Sequence, residues 1–181
     1  MRVPARAWVF LGVLALVLAA APSSQAQLNS NTATVNLNAV LGESLTVTAS
    51  PGTVNFTLVP SGPVNGSAPV AIQTQWALAA GRTNVSLYAY FASATALTDG
   101  VGDNIPTSSV FGSVNGGAYG AFTNVDVFSA NGITVFSQAV GGAGTFNVTR
   151  NDTVGLRIDT TGLSLPANTY TGVLNVRAQA I

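Results

Sequence analysis

The sequence predicts an all-β fold, an antiparallel immunoglobulin-like β-sandwich preceded by a cleaved signal peptide. Three observations predict it. Apolar residues recur at every second position through most of the chain beyond residue 27, no stretch sustains helical spacing, and Gly, Pro or Asn clusters break the alternation every roughly eight to twelve residues. One-sided alternation of this kind suits two sheets packed face to face.

The chain opens with Arg2 and Arg6, then an apolar run from Trp8 to Ala21, then Ser24-Gln25-Ala26. These are the basic, apolar and small-x-small parts of an export signal. Residues 1–26 are therefore read as a signal peptide and 27–181 as a single β-sandwich domain. The apolar run is shorter than the roughly 20 residues of a membrane-spanning helix, and Pro22 ends it, so no membrane span is expected.

The first alternating run places Ala33, Val35, Leu37 and Ala39 on one face and Thr34, Asn36 and Asn38 on the other. It fits the first strand of the sandwich or, within 27–40, a strand donated to a neighbour, whose groove would take alternate side chains. Leu45, Val47 and Ala49 define the next strand, which Pro51-Gly52 ends, and Val54, Phe56 and Leu58 point inward from another. After a loop from Pro60 to Pro69, Val70, Ile72, Thr74, Trp76 and Leu78 alternate inward, then Val85, Leu87, Ala89 and Phe91. Residues 92–108 read as an irregular stretch, followed by short strands at Val110–Val114, Ala118–Phe122 and Val125–Phe128. Asn131-Gly132 predicts a type I′ hairpin turn, because both of its central residues need positive φ. "ITVFSQA", "TFNVT" and "TVGLRID" follow, and "TYTGVLNVRAQA" reads as one long closing strand.

Composition narrows the function. Without Arg2 and Arg6 the chain keeps four arginines against six acidic residues, a net charge of −2, and it has no lysine. Such a surface cannot neutralise a run of phosphates, which argues against nucleic-acid binding. No cysteine is present, so neither disulfides nor thiolate-bound metal is expected, and no cofactor is called for. His is absent too, and Met1 is the only methionine. General acid–base and nucleophilic catalysis draw mainly on His, Cys and Lys, so no catalytic residue is assigned and an enzyme is not expected. A carboxylate-pair hydrolase would have to use Glu43, Asp99, Asp103, Asp126, Asp152 or Asp159, all of which read as turn or outward positions.

Two further candidates remain. Asp99, Asp103 and Asn104 in "TDGVGDN" offer oxygen ligands of the kind Ca²⁺ takes, although Asp-Gly pairs are also ordinary turn chemistry. Tyr88 and Tyr90 alternate on one outward face and, with Trp76 on the preceding strand, suggest a monomeric carbohydrate-binding module; the plainer reading puts Trp76 in the core and packs the tyrosines across strands.

Charged residues make up only 7% of the chain, so its strand edges lack the lysines that ordinarily discourage pairing with another chain. At the C-terminus, "LPANT" brushes against the LPxTG wall-sorting signal, but Asn168 and Thr169 stand where that signal needs Thr and Gly. It reads instead as the corner before the last strand. "LPANTYTGVLNVRAQA" resembles the terminal strand of the spore coat protein U and fimbrial-subunit group, with Asn168 where glycine is usual there, no cysteines and no penultimate Tyr. The resemblance implies a secreted Ig-like subunit that joins its neighbours by donating a strand, with other surface subunits and a periplasmic chaperone as the partners to look for. The expectation is thus a non-enzymatic structural or adhesive protein of a bacterial cell surface, built into a filament or coat.

Overall fold

The computed structural model describes residues 28–181, so the expected signal peptide lies outside the described residues. The chain divides into two units, residues 1–39 and 40–181. In the first, the expected strand over 33–39 does not form: residues 28–39 are exposed and carry no secondary structure. Val35 is 80% exposed and Leu37 93%. A single strand without a hydrogen-bonded neighbour has nothing to hold its backbone extended.

The second unit is all-β, and every pairing between its strands is antiparallel. In the larger sheet β1 (Ser44–Ser50), β3 (Val70–Ala77), β10 (Asn147–Asp159), β7 (Val110–Val114) and β8 (Tyr119–Ala121) lie side by side in that order, with β2 (Pro63–Asn65) on the far half of β10. The smaller sheet runs β11 (Asn175–Ala180), β4 (Asn84–Tyr90) and β9 (Gly132–Ala139), and β5 (Thr95–Thr98) pairs with β6 (Asn104–Pro106). The two sheets share one hydrophobic core, as in a β-sandwich.

The alternation that predicts β3 and β4 has its physical counterpart in that core. Ile72, Thr74 and Trp76 face inward from β3, and Val85, Leu87 and Ala89 from β4, each at most 2% exposed. In β9 the simple period fails: the register shifts opposite Leu87 and Tyr88, so Val135 bulges and Ile133, Val135 and Phe136 are all buried.

Several sequence expectations need correction. Residues 92–108 are not irregular throughout, because β5 and β6 lie within them and a 3₁₀ turn, Thr107–Ser109, begins at their end. Val125–Phe128 is a turn held by the Asp126 carboxylate, which accepts from the Phe128 and Ser129 amides, and not a strand. Asn131-Gly132 makes no hairpin turn; Gly132 opens β9 with its α-carbon against the Asp126 carboxylate and Tyr90, where a Cβ would not fit. The hairpin turn is Asn115-Gly116, between β7 and β8, with φ of 50° and 74° and the Gly117 amide donating to the Val114 carbonyl. The last three residues of "TFNVT" join "TVGLRID" in one strand, β10, of 13 residues. The closing strand is only Asn175–Ala180, and residues 172–174 before it are unpaired.

Candidate functional site

From Pro51 to Gly62 the chain forms no paired strand, although residues 53–59 keep the alternation, with Val54, Phe56 and Leu58 half-buried. Residues 164–174, on the approach to β11, are equally irregular. Between these two segments lies a groove of about 930 Å³. Val54, Phe56 and Leu58 line one lip; Leu165, Tyr170 and Leu174 line the other. Its floor is core: Val70, Phe91, Val110, Leu156 and Ile158, none more than 8% exposed.

Both lips carry unpaired backbone. On the first, Asn55 exchanges hydrogen bonds with Ser67 and the Val59 carbonyl accepts from Thr160, but Phe56, Thr57 and Leu58 have no backbone partner among the described residues. On the second, Thr98 and Thr171 exchange amide–carbonyl bonds of 2.9 Å, and Gly172, Val173 and Leu174 have none among the described residues. An apolar trough flanked by unpaired backbone is the geometry that accepts an added strand.

The second lip is pinned by one bond to the rest of the chain and one within itself. Asn168 Nδ2 donates to Asp99 Oδ2 at 3.0 Å, and Tyr170 Oη donates to the Pro166 carbonyl at 3.0 Å. Gly172 passes so close to the Ala96 carbonyl that a Cβ there would overlap it. Gly172 is thus where β5 passes against the closing segment. "LPANT" is the clasp of this lip.

The same contacts describe the calcium candidate. Asp99 Oδ1 accepts from the amides of Val101, Gly102 and Asp103 at 3.0–3.1 Å, and its other oxygen takes Asn168. Those donors, the Val101 amide first, hold its carboxyl below the usual Asp range. Asn104 turns its amide to the Gly102 carbonyl. The Asp99 oxygens are thus filled by N–H donors, the reverse of a cation cage, and among the described residues no cluster of three metal-ligating side chains forms.

The three aromatic candidates are not brought together. Trp76 lies on the larger sheet, 2% exposed, with Nε1 donating to the Thr145 carbonyl at 2.8 Å, whereas Tyr88 and Tyr90 lie on the smaller sheet. Phe128 occupies the tyrosine faces, stacked on Tyr90 at 5.7 Å and edge-on to Tyr88 at 5.8 Å, and the Arg177 guanidinium sits 4.5 Å from the Phe128 ring centre. Phe128 thus packs on both tyrosines, and all three rings stay half-buried.

Among the carboxylates, Asp152 departs from the outward position expected of it. It faces inward and is 3% exposed, bound by Arg150 Nε at 2.8 Å and by Asn115 Nδ2 at 2.8 Å. Burial opposes its ionisation, but Arg150 and Asn115 outweigh that and hold the carboxyl below the usual range. Arg150 also lies 4.4 Å from the centre of the Phe136 ring. This pair lets β10 run unbroken through "RND". Its only sequence signal is the i, i+2 spacing of opposite charges within an alternating run.

No protein-family model, no curated protein and no solved structure matches this chain.

Proposed function

We propose that this protein is an exported, non-enzymatic structural or adhesive subunit of a bacterial cell surface, an Ig-like sandwich that joins its neighbours by strand addition. The groove between residues 53–59 and 164–174 is the acceptor, and residues 33–39 of the next copy are the donor. One observation carries the reading: an apolar trough with unpaired backbone on both lips occurs in a chain that also holds an exposed, alternating segment outside any sheet. Ala33, Val35, Leu37 and Ala39 recur at steps of about 6.7 Å in an extended chain, the spacing at which alternate side chains of an added strand fill successive hollows. The likeness of "LPANTYTGVLNVRAQA" to the spore coat protein U and fimbrial-subunit group, and the export-type N-terminus, support the same class.

The test removes residues 27–40 and adds them back as a peptide. The shortened chain is expected to melt lower than a strand-linked assembly of the full chain and to regain stability with the peptide, but not with a peptide carrying Val35→Asp and Leu37→Asp. If the full chain stays monomeric at millimolar concentration and the peptide leaves the melting curve unmoved, the proposal falls.

A further inference from the structure

β1 forms one edge of the larger sheet. All seven residues, Ser44–Ser50, pair with β3 in unbroken register, and among the described residues no backbone hydrogen bond reaches the other side of the strand. An edge is usually blunted by a lysine, a proline, a bulge, an inward charge or a covering element; β1 has none of the first four, β11 of the smaller sheet passes close to it, and its outward side chains stay exposed. Its outward residues are hydroxyls: Ser44, Thr46, Thr48 and Ser50. Its inward residues, Leu45, Val47 and Ala49, remain half-buried or exposed, unlike Ile72, Thr74 and Trp76 on the neighbouring strand.

The order of these residues matters more than their composition. Ser-Leu-Thr-Val-Thr-Ala-Ser reads the same by chemical type from either end. Laid antiparallel to a second copy about a two-fold axis at Val47, it sets Ser44 against Ser50, Leu45 against Ala49, Thr46 against Thr48 and Val47 against itself. Directly opposed residues share a face, so every hydroxyl meets a hydroxyl on the outside and every apolar side chain an apolar one on the core side.

Charge permits the same arrangement. The acid nearest to β1 is Glu43, already held by Arg82 at 3.1 Å, an ion pair that lowers its carboxyl to about 2, Arg82 being the largest cause and the Ala79 amide the next. In the two-fold register Glu43 falls opposite Pro51 of the other copy, and the two glutamates lie at opposite ends of the ladder. Pro51 has no amide hydrogen and ends the pairing there. The two copies thus meet through a strip that carries no charge.

We propose that β1 is a self-pairing edge, through which two copies join their larger sheets across a two-fold axis at Val47. This closed, isologous contact is independent of strand addition at the groove and uses a different stretch of the same molecule. In a filament it would cross-link neighbouring strands of subunits, or pair subunits before they assemble.

The experiment uses the full chain without its expected export signal, carrying Val35→Asp and Leu37→Asp to disable the donor segment. Sedimentation is expected to give a dimer, with the amides of residues 44–50 more slowly exchanging than in dilute monomer. Thr46→Lys with Thr48→Lys sets lysine against lysine twice and is expected to halve the sedimenting mass. Thr46→Glu with Thr48→Glu is expected to do the same. Mixing the two is expected to restore the dimer, which neither variant can form if it is unfolded. A parent chain that stays monomeric into the millimolar range overturns the proposal. So does a lysine variant that dimerises like its parent, or a mixture that stays monomeric.

Discussion

Asp152 is the residue at which burial and charge are most nearly opposed. Its side chain is 1% exposed and answered by Arg150 and Asn115. Removing one partner of such a pair leaves the other charge poorly compensated, so Asp152→Ala is expected to cost about 3 kcal/mol in urea unfolding at neutral pH. Because the folded-state carboxyl sits below its ordinary value of ~4, its contribution is present above that value and lost as the pH falls through the lowered one. The stabilities of the parent and the variant should therefore converge in acid; a gap that stays constant from neutral pH down to acid would contradict the assignment. Glycine contacts offer a second residue-scale test. Gly172→Ala drives a Cβ into the Ala96 carbonyl, whereas at Gly112 the nearest obstacle is the movable Cδ1 of Ile133. The first should cost about 2 kcal/mol and the second less, since backbone yields less readily than the end of a side chain.

At the scale of elements, two of the three Asn-Gly pairs separate local signal from tertiary use, Asn115-Gly116 and Asn131-Gly132. Both satisfy the sequence rule for a type I′ turn, yet only Asn115-Gly116 adopts it. There the flanking strands β7 and β8 pair with each other, and Asn115 also reaches Asp152 and the Thr153 amide. Asn131-Gly132 precedes a strand whose partner is β4, so no hairpin is available to it. Asn115→Ala places a Cβ-bearing residue without that side-chain bond at positive φ and is expected to destabilise by about 1–2 kcal/mol, measured by thermal melting. The clasp of the groove's second lip makes another prediction. Asp99→Ala removes the acceptor of Asn168 and of three amides, so the Thr98 and Thr171 amides should exchange faster while the melting temperature moves little. Unchanged exchange at those two amides would show that the Asp99 bonds do not hold the lip.

The alternation of β3 and β4 was legible because both lie between neighbours and bury one face completely. Residues 33–39 and 53–59 show the same alternation but form no strand, because period two reports which side chains want burial and says nothing about which backbone has a partner. The groove was illegible for that reason: its floor reads as ordinary core, and its lips read as strands that were never paired. Leu37→Asp is the corresponding prediction for the whole molecule. Burying a leucine side chain is worth roughly 2 kcal/mol and burying its charged replacement is unfavourable, so this single change should weaken strand-linked assembly by at least tenfold in a concentration series. Assembly of undiminished affinity would place the contact elsewhere.

By itself, the sequence determined an all-β chain, its inward-facing residues at the centres of both sheets, and a surface poor in charge and without lysine, His or Cys. These follow from side-chain chemistry and a period of two, which any local window displays. Only the tertiary structure decided which alternating segments find partners, that Trp76 and the tyrosines belong to different sheets, that Phe128 packs on those tyrosines, and that Asp152 lies inside. Each of those depends on pairings between residues far apart in the chain, and hydrogen-bond partners across a sheet leave no mark on the segments that lack them.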